Sequence, residues 1–289
     1  MLDKFTRSWE LTKQSWAVLR AEKGLVLFPI LSSITSLAIV ASFAVPIALA
    51  IDWSKFEQDG KHGAQIFQGW HYPVLFVLYV LTYFITTFFN AGLIACVNER
   101  LEGRDTNVGF GLKAAAGRIP QIFGWSVLNA TVGVVIQMIA DRLGWVGQMI
   151  LRFIGMAWAI ATFFVVPVLV LEGVGPIDAV KRSVSVLKKN WGEAGITTLG
   201  FSAVATLAGV LWAIVTMGPA IALMMAMRSP VPLFAGIAAF ILGGMVLSVV
   251  VSTMQVIVRA ALYRFAATGA VAAGFDESQF RSAFAPKKK

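Results

Sequence analysis

Cysteine occurs once (Cys96) and histidine twice in 289 residues, among only 15 scattered carboxylates. A disulfide framework needs paired cysteines and is excluded, and a metal centre, which needs converging ligands, is not expected, nor is a thiol redox pair. Charge is equally scarce: charged residues make up 13% of the chain, against roughly a quarter in a soluble domain. With 58% hydrophobic residues and a mean hydropathy of +0.77, too few polar side chains remain to coat a soluble globule. The surrounding medium is lipid. Catalytic signatures are missing too, since no nucleophile elbow, phosphate-cradling glycine loop or carboxylate pair at a plausible active site occurs. The chain therefore reads as a non-enzyme without a cofactor.

What the sequence does contain is long apolar runs. About 20 apolar residues span a hydrocarbon core as a helix that satisfies its own backbone amides. Six segments qualify, at 25–51, 73–97, 122–140, 153–171, 195–227 and 233–258. The fifth is too long for a straight span, and Gly218-Pro219 within it predicts a kink or an end near the outer surface. Pro29, Pro46 and Pro167, near span ends, read as kinks or terminations. The apolar run before Ala48-Leu49-Ala50 is too long, and starts too late, for a cleaved signal peptide.

Nineteen Lys and Arg residues fall on the N-terminal segment, the second-to-third and fourth-to-fifth loops and the C-terminal end, against five on the opposite side. Basic loops stay in the cytoplasm, which places both termini there. The net charge of +9 is spread over four segments instead of one face. It therefore reads as topology plus attraction to anionic lipid, and nucleic acid is not an expected partner.

Before the first span, Leu2, Phe5, Trp9, Thr12, Trp16 and Leu19 share one helical stripe, so an amphipathic helix is expected at the headgroup boundary or on the protein's own surface. Residues 7–16 align without gaps on 182–191, with Arg, Ser, Lys and Trp matched. The second copy has the stripe Ile177, Val180, Val184, Leu187 and Trp191, and a weaker middle copy has Val108, Leu112, Ala115 and Ile119, ending at Pro120. Each copy precedes an outward-going span. The expected fold is thus all-α and polytopic: six transmembrane helices and three cytoplasmic-side amphipathic helices in repeat units at about 2–97, 107–171 and 176–262. They form a single integral domain, 1–265, with a basic tail, 266–289. All three hairpins enter from one side, so inverted repeats are not predicted.

Polar side chains at membrane depth each need a partner. Asn90 and Asn129 both stand about seven residues from the cytoplasmic ends of their spans, which puts them at one depth. They either bond each other or a nearby carbonyl, or line a polar cavity with Gln137 on the same helix. Gln255 lies in the sixth span, and no ionisable residue falls near a span centre, unlike a proton- or ion-coupled pump. The rows Ala205, Gly209, Ala213 and Ala235, Ala239, Gly243 permit close helix packing, within the chain or between copies. Cys96 reads as a small buried apolar residue. The outer loop 52–71 holds both histidines with Asp52, Glu57 and Asp59, but without metal-ligand spacing. The tail opens at Asp276 with a capping-box Gln279, then Phe280, Phe284 and Lys287 to Lys289, a pattern for lipid contact or a solvated end.

The chain resembles a prokaryotic family of integral membrane proteins of uncharacterised function. The resemblance is carried by the runs at 7–11, 88–93, 124–133, 162–173 and 179–183. More distantly, the helix-plus-hairpin repeat is similar to the membrane domain fused to some glycerophosphodiester phosphodiesterases. Their catalytic barrel has no counterpart here, so no activity is implied. Two functions remain open. One is a non-enzymatic protein engaging anionic lipid or a membrane partner through its basic cytoplasmic face, with Trp9, Trp16, Lys181, Arg182, Lys188, Lys189 and Trp191 as headgroup contacts. The other is a transporter or channel for an apolar or lipid-like solute, with Asn90, Asn129 and Gln137 on its path. A packed interior favours the first and a continuous cavity the second.

Overall fold

The computed structural model describes residues 2–50, 71–140, 142–189 and 191–269, with side chains placed for these except 2–11, 47, 50, 71, 72, 146 and 189–204. Every regular element among the described residues is helical: α1 (Leu2–Ala21), a 3-10 turn (Lys23–Val26), α2 (Leu27–Ala50), α3 (His71–Leu101), α4 (Val108–Ala116), α5 (Ile119–Ala140), α6 (Trp145–Ala161), α7 (Val165–Leu171), α8 (Pro176–Lys189), α9 (Trp191–Met227) and α10 (Val231–Thr268). Six segments are long and apolar enough to cross a membrane: Lys23–Pro46, Pro73–Leu101, Ile119–Ala140, Gly147–Leu171, Ala205–Met227 and Val231–Thr268. Residues 51–70 of the outer loop, with His62 and the acidic Asp52, Glu57 and Asp59, and the tail from residue 270 lie outside the described residues, while the other histidine, His71, opens α3.

The chain folds as two compact units, Phe28–Ala95 with Gly109–Val184, and Met1–Leu27 with Cys96–Val108 and Ser185–Lys289. These do not follow the repeat boundaries read from the sequence. In the first unit, buried Ala91, Ala95, Ala115, Ile122 and Val170 form one cluster that joins α3, α4, α5 and α7. Gly92 is needed beside it. A Cβ there would stand 2.7 Å from Phe28 Cε1 and 3.0 Å from the Gly111 carbonyl oxygen, so α2, α3 and α4 meet at a point with room only for hydrogen.

Two expected boundaries are corrected. The middle amphipathic segment stops at Ala116, not Pro120, and Ile119 opens the next helix with 43% of its surface exposed. Pro120 is tolerated there because an amide in a helix's first turn has no intrahelical acceptor to lose. The fourth span is not one helix, since α6 and α7 are separated by turns at 162–164. Pro167 is the cause: it cannot donate to the Phe163 carbonyl and its ring crowds that group. The chain tightens instead, with Phe163 N–H bonding Ile160 O at 3.1 Å and Val165 N–H bonding Thr162 O at 3.0 Å. The fifth span ends at Met227, as expected, and of the two outcomes read at Pro219 the structure excludes an end there. Helix α9 continues to Met227 with the proline inside it. In an apolar medium, losing one hydrogen bond is less unfavourable than opening the several groups of a helix end.

In the second unit α1 packs against α9 and α10. It buries Ser15, Val18 and Leu19, while Trp16 is 40% exposed with the Arg20 guanidinium 5.4 Å above its ring. The tight α9–α10 hairpin is built on Gly236, whose missing Cβ makes room for Ala220, and on Gly243, which lies flat under the Trp212 indole. Trp212 Nε1–H donates to the Phe240 carbonyl at 3.2 Å. Of the small residues singled out by spacing, Gly243 lies at this contact. Gly209 has nothing within 4 Å of where its Cβ would be.

Candidate functional site

The first candidate is the polar point within the membrane helices of the first unit. Asn129 on α5 accepts a hydrogen bond from Trp158 Nε1–H on α6 at 2.9 Å, and the Trp158 ring stacks on buried Trp125 with centroids 6.2 Å apart. Among the described residues no hydrogen bond joins Asn129 to Asn90. Their expected common depth is also corrected. Asn90 precedes Ala91, which packs with Ile122, whereas Asn129 stands two turns beyond Ile122, about 10 Å further along α5. Gln137 is exposed two turns further still. An open groove of about 480 Å³ lies near that end of α5, lined by Val135, Met138, Ile139, Arg142 and Leu143. None of the three predicted residues lines it.

Removing the indole donor by Trp158→Phe, or the acceptor by Asn129→Leu, is expected to cost about 0.6–2 kcal/mol each. The double variant should lose less than their sum. Thermal unfolding of the four proteins in one detergent measures that coupling, and strict additivity would contradict the pairing.

The second candidate is α8. It starts four residues after α7, with Pro176 against Gly124 of α5, and turns back along the broken span. Ser183, fully buried, accepts the Phe164 N–H at 3.1 Å. That amide sits in the gap between α6 and α7, so one serine both ties α8 to the break and fixes the rotation of α8 about its axis. The buried face comprises Ala179, Ser183, Val186 and Leu187. The predicted apolar stripe coincides with this face only in part: Leu187 is buried, Val180 and Val184 are half-buried and Ile177 is 63% exposed.

Of the predicted headgroup contacts, Lys181 and Lys188 are exposed. Lys181 reaches Asp178 at 3.0 Å, an exposed pair of little energetic weight. Arg182 is bound to Glu172 at 2.9 Å and is a latch to the end of α7 instead of an available cation. Trp16 is exposed as described above, and the side chains of Trp9, Lys189 and Trp191 lie outside the described residues. Next to Glu172, Gly173 adopts φ +71°, and a Cβ there would lie 2.5 Å from the Arg118 guanidinium carbon, so the turn accepts only glycine beside that arginine.

Sequence counting missed one ionic cluster. In the second unit Arg264 of α10 donates to Glu102 at 2.6 Å, Asn98 Nδ2 donates to the same carboxylate at 3.0 Å, and Arg104 bonds both Glu99 and Glu102. Carboxylates interleaved with arginines just after a span were the available signal. Cys96, buried as expected, donates its thiol to the Asn107 carbonyl at 3.2 Å. Burial alone would raise the Glu102 pKa, but the hydrogen bonds from Arg264, Asn98 and Arg104 and the Arg264 charge outweigh it and hold the carboxyl below 4.5. A lowered folded-state pKa means stability that is complete above the ordinary value and lost as pH falls through the lowered one. Glu102→Gln is therefore expected to destabilise by about 1 kcal/mol at pH 7. Near pH 3, about a unit or more below the ordinary carboxylate value, the difference should shrink. Unfolding midpoints of the two proteins across that range check it.

A model of a family of unknown function, DUF6159, matches residues 70–275. No curated protein matches the chain, nor does any solved structure.

Proposed function

Since the chain belongs to the DUF6159 family, which carries no assigned activity, we propose a function from its own residues: it is a non-enzymatic, multi-pass inner-membrane protein that engages anionic lipid through its basic side. On this reading that side is cytoplasmic, both termini lie on it, and α1 and α8 are amphipathic helices of a repeated unit. The observation that carries the proposal is the Asn129–Trp158 hydrogen bond under the stacked Trp125 ring. It makes this polar point of the membrane helices a packed joint, which supports a role at the surface over a path through the interior. The exposed cations Lys13, Arg20, Lys181 and Lys188 supply the surface chemistry, each worth about 1 kcal/mol when held near anionic headgroups.

The rival reading, a transporter or channel for an apolar or lipid-like solute, is tested directly with proteoliposomes loaded with a small neutral solute. Release no faster than from protein-free vesicles is expected. Faster release that Asn129→Leu abolishes would overturn the proposal in favour of transport.

A further inference from the structure

Helix α8 is fully covered by protein along one side only. At about 100° per residue, the buried residues Ala179, Ser183, Val186 and Leu187 occupy one arc. The adjoining arc carries Val180, Val184 and Ile177, then Lys188 and Lys181. Beyond the lysines come Ser185, Asp178 and Arg182, exposed or paired with Glu172. Around the helix the order is therefore protein, apolar, lysine, polar. That is the sequence of environments met by a helix lying on its side at a bilayer surface, where lysines carry their charge outward along apolar stems.

We propose that α8 is an anionic-phospholipid docking surface, with Ile177, Val180 and Val184 set among the upper acyl carbons and Lys181, continued along the helix by Lys188, on the lipid phosphates. This deepens the function proposed above and rests on it. Ser183 ties that surface to the gap in the fourth span, so lipid bound on α8 holds the broken conformation in place.

The test uses the full chain in nanodiscs of phosphatidylcholine alone or doped with phosphatidylglycerol. Nitroxide labels go at Ile177→Cys, Val184→Cys and Ser185→Cys in turn, the native Cys96 being buried. Labels at 177 and 184 are expected to collide preferentially with dissolved oxygen, and the one at 185 with a water-soluble paramagnet. Equal water exposure at all three would overturn the seat of α8. In parallel, Lys181→Gln/Lys188→Gln is expected to lower the preference for phosphatidylglycerol by about thirtyfold, at roughly fivefold per lysine. Circular dichroism confirms that the variant folds. If phosphatidylglycerol stabilises wild type and variant equally, α8 is not the contact and only this inference falls. If it stabilises neither, the wider lipid reading falls with it.

Discussion

Gly243→Ala is expected to destabilise the protein by about 2–4 kcal/mol, the sum of overpacking a filled contact and losing an interhelical hydrogen bond. The added methyl would fall inside the van der Waals envelope of Trp212 Cζ2, and the indole could escape only by giving up its bond to the Phe240 carbonyl. Gly244 next to it is the control, since a Cβ there meets nothing within 4 Å. Gly244→Ala is expected to be neutral or to stabilise by up to about 1 kcal/mol through helix propensity alone. Thermal unfolding of both variants in detergent measures the contrast. Equal effects would mean that Trp212 does not hold the α9–α10 hairpin.

Ser183→Ala is expected to cost about 1–3 kcal/mol, because it leaves the Phe164 amide buried without an acceptor. The defect should be local. Hydrogen exchange at Phe164 and Val165 is expected to accelerate, with α9 and α10 unchanged, since the serine holds the gap in the fourth span and nothing in the hairpin. Ser185→Ala, on the exposed side of the same helix, should leave exchange at those amides as in wild type. A hydroxyl-preserving Ser183→Thr that exchanges as fast as Ser183→Ala would show that the hydroxyl is not the acceptor.

The membrane helices were legible in the sequence because length and apolarity determine a span almost alone. Their ends were less so. Pro167 announced a disruption, but the break falls at 162–164, one turn earlier, around the carbonyl to which the proline cannot donate. The buried side of α8 was hidden for a related reason: its apolar stripe is wider than its contact with protein, and the contact is centred on Ser183, whose role depends on an amide stranded 19 residues away. Asn129 was singled out as a polar group within an apolar helix. Its partner, Trp158, lies 29 residues off on another helix, and spacing from span ends suggested Asn90 instead. Counting charges gave one side its excess of Lys and Arg. It could not reveal that Arg264 is bound to Glu102 and Arg182 to Glu172, which leaves Lys181 and Lys188 as the exposed cations of α8.

Native mass spectrometry of the protein released gently from its own membrane tests the central claim most directly, by weighing what stays bound. The account predicts retained anionic phospholipid, enriched over its share of the bulk membrane, lost at high salt and unaffected by Asn129→Leu. A retained neutral solute that Asn129→Leu removes, or lipid in bulk proportion and indifferent to salt, would contradict it.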